Sequence, residues 1–146
     1  EKAASWISRA KNPDGKSYRL AFDKPGSYSM KYNMVWDKIW GTDIFPAEVY
    51  ESEIASNKDT FNKYGMPLDS RADYTKSDWL VWTASMASKK STFKEYIKPH
   101  WVAYNESESR VPLTDWYDTI SGCVVGFQHR TVQGGLFIRL LLDKNK

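Results

Sequence analysis

The amino-acid sequence predicts an all-α fold built of helical hairpins. Three observations carry the prediction. Apolar residues recur at intervals of three to five in several separate segments, as they do on one face of a helix. Cap-forming residues precede these segments, and Gly or Pro follows or interrupts them. No convincing run of alternating polar and apolar residues marks a strand.

The elements follow in chain order. Ala4, Ile7 and Ser8 sit at helical spacing beside Trp6, and Pro13-Asp14-Gly15 then breaks the pattern. After Pro25-Gly26, Ser27 or Ser29 caps a helix that runs to about Trp40, with Met30, Met34, Trp36 and Ile39 within it. Gly41 is a natural stop. Pro46 suits the first position of the next helix, which carries Val49, Tyr50, Ile54 and Phe61 and ends at Gly65. Residues 66–71 read as a loop. Thr75-Lys76-Ser77-Asp78 has the spacing of a capping box and opens a helix bearing Trp79, Leu80, Thr83 and Ala84. Ser91 caps a further helix through Tyr104, which Pro99 should kink or interrupt because it removes a backbone donor. Residues 105–130 read as irregular, and Thr131 opens a last helix through Leu142, with Gly134-Gly135 near its start.

Composition narrows the function classes. The 146 residues fit one domain, 1–146, and the apolar share of 41% with 27% charged residues is that of a globular chain. The 21 basic and 18 acidic residues give +3 and are interleaved, with no basic block of the kind that nucleic acids or membrane surfaces attract. No apolar run is long enough to span a membrane. Seven Trp, nine Tyr and six Phe mean either a core rich in rings or a cleft lined by them. Cys123 is the sole cysteine, so no disulfide forms within the chain.

Familiar catalytic signatures are missing: the sequence has no Gly-x-Ser-x-Gly, no phosphate-binding Gly loop and no His-Glu-x-x-His. His100 and His129 are too few for a structural zinc site, and the reading requires neither metal nor cofactor. Cys123 with His129, and the Ser-x-x-Lys spacings at Ser8 and Ser91, read more simply as incidental than as nucleophiles. Polar clusters are more informative. Lys31, Asn33 and Asp37 form one; Asp69, Arg71, Lys76 and Asp78 a second; Asp115, Trp116, Tyr117 and Asp118, followed by Arg130, a third. Carboxylates in unlike surroundings can divide acid and base work, and nearby cations and rings can hold a small polar substrate. The same residues also suit caps, turn amides and ion pairs.

Several of these residues fall in runs that resemble fungal glutaminase A-type proteins. The runs are Lys31-Tyr32-Asn33-Met34-Val35-Trp36-Asp37-Lys38, Leu68-Asp69-Ser70-Arg71, Tyr74-Thr75-Lys76-Ser77-Asp78-Trp79, Arg110-Val111-Pro112, Asp115-Trp116-Tyr117-Asp118-Thr119, Phe127-Gln128-His129-Arg130 and Gly134-Gly135. They occur in the expected order over residues 18–140. The resemblance implies a secreted protein whose carboxy-terminal domain is an α/α toroid of six helical hairpins, and an activity that hydrolyses L-glutamine to L-glutamate and ammonia. Asn105-Glu106-Ser107 fits a glycosylation acceptor, in keeping with secretion. Such a toroid needs about twice the helices read here, so the chain is expected to be a C-terminal fragment or processed subunit held against the rest of the same protein.

On this reading Asp69, Asp78 and Asp115 are the acid/base candidates. Arg71, Lys76 and Arg130 are placed to bind a carboxylate, and Trp79 and Trp116 to wall the cleft around a small-molecule substrate. The alternative is a glycoside hydrolase or a carbohydrate-binding helical domain, with paired carboxylates or exposed rings meeting sugar.

Overall fold

The computed structural model describes residues 2–109 and 111–144, so Arg110 lies outside the described residues. The α-helices are α1 (Lys2–Ala10), α2 (Val35–Trp40), α3 (Ala47–Ser56), α4 (Ser77–Ser85), α5 (Lys90–Glu106) and α6 (Ile138–Lys144). Short 3-10 segments span Tyr32–Met34, Asn57–Thr60 and Thr131–Phe137.

The all-α expectation fails, because the chain also builds a three-stranded sheet. Strands β1 (Tyr74–Lys76), β2 (Thr114–Asp118) and β3 (Val124–Gln128) lie in that order, each antiparallel to its neighbour. The fold is therefore mixed, with helices packed against a small sheet, and not a set of hairpins in part of an α/α toroid. Lys76 pairs with Trp116 across the first ladder, and Trp116 with Gly126 across the second. The residues explain the strands: Thr114, Trp116, Tyr117, Val124, Val125 and Phe127 are β-branched or aromatic and fit a pleated surface. The β2–β3 turn is closed by Asp118, whose Oδ1 accepts from the N–H groups of Ile120 (3.0 Å) and Ser121 (2.7 Å). Gly122 completes the turn at φ 78°, and a Cβ there would lie 3.1 Å from the Tyr64 ring.

Other elements differ in detail. The helix expected to end at Trp40 begins as a 3-10 turn at Tyr32 and stops where predicted, with Gly41 left-handed at φ 61°. Thr75 does not cap α4; it belongs to β1, and Lys76 is the N-cap. Pro99 lies inside α5 without ending it. Tyr96, His100 and Ala103 on one face of that helix are buried, and their packing overrides the local cost of proline.

Helix α4 is the hub. Leu80, Val81, Thr83 and Ala84 are buried on it, together with Ser77 and Asp78 at its start, and it touches α2, α5, α6, β1, β2 and the segment Thr131–Phe137. Met30, Val35, Met66 and Tyr96 complete the core around it. Two buried carboxylates pin the periphery. Asp37 accepts from Ile44 N–H (2.9 Å), Phe45 N–H (3.1 Å), the Tyr50 hydroxyl (2.6 Å) and the Thr42 hydroxyl, which fixes residues 41–46. Glu53 accepts from Tyr18 N–H (2.8 Å) and pairs with Lys31 (3.0 Å), so Lys31 serves the α3 anchor and not a cluster with Asp37.

Candidate active site

Where β1 runs straight into α4, Lys76 and Asp78 are delivered side by side to the sheet. Strand β2 sets Asp115 and Trp116 opposite them, and Arg130 follows β3. Asp115 is fully buried. Arg130 grips it with two hydrogen bonds, Nε to Oδ1 at 3.0 Å and Nη2 to Oδ2, while Lys76 Nζ stands 3.4 Å from Oδ2. Burial alone would raise the Asp115 pKa, but the Arg130 bonds and the charges of both cations hold it below the ordinary aspartate value.

Aromatic rings complete the cation box. Lys76 Nζ lies 4.1 Å from the centre of the Trp116 ring and 4.8 Å from that of Phe127. The Arg130 guanidinium lies 4.2 Å from the Phe127 ring centre. Phe127 at φ 54° and His129 at φ 58° occupy left-handed backbone that bulky residues rarely adopt, so this edge of the site holds strain. Burial pushes the Lys76 pKa down, and Arg130 adds to the effect against the pull of Asp115.

Asp78 is different in kind. It is buried, and its Oδ1 has no hydrogen-bond partner. Burial raises its pKa, the backbone amides at the start of α4 oppose this, and the Asp115 charge adds to the rise. A carboxyl whose pKa is raised therefore neighbours one whose pKa is lowered, and two cations, Lys76 and Arg130, both pair with Asp115.

The structure thus brings together Lys76, Asp78, Asp115, Trp116 and Arg130. Asp69 and Arg71 pair with each other in the loop before β1: Arg71 Nε reaches Oδ1 at 2.8 Å and Nη2 reaches Oδ2 at 2.7 Å. Trp79 stacks flat on Tyr32, with ring centres 4.1 Å apart, and Tyr32 leads edge-on to Trp82. Sequence reasoning missed Tyr104, Gln133 and Phe127. Tyr104 donates to Gln133 Oε1 at 3.2 Å, and its own pKa is pushed up to about 12 by burial. The Gly134-Gly135 pair was the available signal. A Cβ on Gly135 would lie 2.8 Å from Asp78 Cβ and 2.9 Å from Trp82 Nε1, so the chain passes flush over the acid.

A well-formed cleft lies elsewhere. It measures about 730 Å³, between α2 and α3 on one side and α5 and α6 on the other, and none of the residues predicted for the site lines it. Its buried carboxylate, Asp37, already has four donors and a pKa pulled down to about 2, which makes it an anchor. The acid–cation group is the better candidate because it sets a carboxyl with an unpartnered oxygen and a raised pKa beside a second carboxylate held by two cations.

A small mixed domain with such a buried group fits an enzyme's ligand-handling region, and sequence comparison identifies its family. The chain belongs to the glutaminase A six helical-hairpin domain family, whose model matches residues 1–140. It is 33% identical over 128 residues to glutaminase A of Aspergillus oryzae, covering 84% of this chain and 18% of that protein. It is 32% identical over 172 residues to the protein named "Probable glutaminase" of Arthroderma benhamiae, covering 95% of this chain and 20% of that protein. The chain spans about a fifth of the length of these curated relatives. No solved structure matches it significantly.

Proposed function

We propose that this chain supplies the proton-donating part of a secreted glutaminase-type amidohydrolase, which converts L-glutamine to L-glutamate and ammonia. The names of the relatives support the reaction class. The observation that carries the reading is the unpartnered, buried Asp78 beside the cation-held Asp115. The paired cations Lys76 and Arg130 suit the α-carboxylate of the substrate, and Trp116 and Phe127 wall its carbon chain.

The chemistry assigns Asp78 the role of general acid. As a water oxygen bonds the amide carbon, the carbon–nitrogen bond breaks and the Asp78 proton passes to the nitrogen, which leaves as ammonia. The proton lost by the water restores Asp78. Asp115 orients Lys76 and Arg130, and Asp69 with Arg71 holds the loop that leads into β1. Completion of the site falls to the remaining part of the same protein, as the share of the relatives covered here supports.

One observation favours a sugar-binding alternative: Trp36 and Trp40 extend the ring series from Trp79 to the surface, where Trp40 is 70% exposed. Ammonia release from glutamine, compared with release of aryl alcohol from aryl glycosides by the full-length protein, separates the two. Turnover of glycosides with none of glutamine would overturn the amidohydrolase reading.

A further inference from the structure

We propose that Gln133 is a second catalytic residue of this site, donating its Nε2–H to the substrate carbonyl oxygen as negative charge builds there, with Tyr104 as its positioning residue. The inference rests on the reading of Asp78 as the acid. It begins from a pairing of loose ends: among the described residues, Asp78 Oδ1 and Gln133 Nε2 are both buried without hydrogen-bond partners. A buried donor left unpaired is costly, and such groups persist where a ligand satisfies them.

The other end of Gln133 is fixed. Tyr104 has a pKa pushed up to about 12, so it keeps its proton and gives it to Gln133 Oε1 at 3.2 Å. That bond turns the amide nitrogen away from Tyr104 and leaves both its hydrogens for another acceptor. Tyr104 is itself held, its ring centre 4.2 Å from that of His100, which is buried in α5.

The backbone brings Gln133 close to Asp78. Gln133 rides on Thr131–Phe137, a seven-residue 3-10 segment with no buried residue, longer than such helices usually run. Gly135, two residues on, lies against Asp78 and Trp82 with no room for a Cβ, and its carbonyl accepts from Trp82 Nε1 at 3.0 Å. Around Gly134 there is open space. The segment is a strap across the acid, packed against α4 and without a side chain at Gly135 where it crosses.

The two loose ends match the two atoms of a primary amide that gain charge or protons. When water adds to the carbon, the carbonyl π pair moves onto oxygen, where Gln133 Nε2–H meets it. When that pair re-forms the double bond, the nitrogen departs with the Asp78 proton.

The test is the steady-state kinetics of Gln133→Leu, Gln133→Met and Tyr104→Phe in the full-length protein with L-glutamine. Loss of the donor should lower kcat about 10²- to 10³-fold with little change in KM. Gln133→Met keeps the length of the side chain but removes the donor and brings no charge, so it should lose turnover equally with Tm little changed. Tyr104→Phe should lose less, because the amide stays in place but is free to flip. Wild-type kcat in Gln133→Met overturns the assignment, and so does a fall in Tm that accounts for the whole loss. If Asp78→Asn is inactive while Gln133→Met is not, only Gln133 fails; if both turn over normally, the reading of Asp78 fails with it.

Discussion

Two aspartates, both buried at the start of a helix, are driven in opposite directions by their donors. Asp37 receives four hydrogen bonds and its pKa falls to about 2; Asp78 lacks a partner at Oδ1 and its pKa rises. Asp37→Asn should therefore destabilise the fold by about 2–3 kcal/mol in urea titrations at neutral pH, since it weakens several bonds to one charged acceptor. The stability that Asp37 contributes is present above its ordinary value of 3.8 and is lost as pH falls toward about 2. His100 is also linked to pH. Burial lowers its pKa from 6.5 to about 4, so folding excludes a proton that the unfolded chain binds between those values. Stability should fall as pH drops through that window, and His100→Gln should flatten the dependence in denaturation series at pH 7 and pH 5. Both aspartates stood out in the sequence as members of polar clusters, Asp37 with Lys31 and Asn33, Asp78 with Asp69, Arg71 and Lys76. What separated them was invisible there, because the donors to Asp37 come from a loop and from α3, and the cover over Asp78 comes from Gly135.

Among the elements, helices were legible and strands were not. The periodicity around Val49, Leu80 and Tyr96 needs only the local chain, and Gly41 stops α2 as its position indicates. Strands of three to five residues are too short for a period to emerge, and in β2 the residues that define it include two aspartates. Arg130 could be read as a candidate carboxylate binder, yet only the sheet explains why it faces Asp115. Helix signals at Thr131 were likewise half right: the chain turns there, but as a 3-10 strap before α6 begins at Ile138. The strap yields its own prediction. Gly135→Ala places a methyl group against Asp78 and Trp82, so the strap must shift. The expected cost is about 1–3 kcal/mol, read from the urea midpoint, together with a loss of glutamine turnover larger than Gly134→Ala causes.

At the scale of the whole molecule, α4 joins the sheet, the strap and the helical core, so the acid lies at the meeting point of every layer. Phe137 and Leu140 are 64% and 68% exposed, and Trp40 is exposed as well. The proposal that the remaining part of the same protein completes the site predicts that it also covers these apolar side chains. The 16.9 kDa chain produced alone should self-associate or bind a hydrophobic dye, and light scattering checks this. A monodisperse, dye-silent monomer would contradict the proposed covering segment. The proposed role of Asp78 is narrower: it gives the proton. The pH profile of kcat for the full-length protein, wild type against Asp78→Asn, tests it most directly. Wild-type turnover should fall as pH rises through the elevated pKa of Asp78, and Asp78→Asn should be at least about 10²-fold slower with its fold intact. Wild-type turnover in Asp78→Asn, with the same alkaline limb, would contradict it.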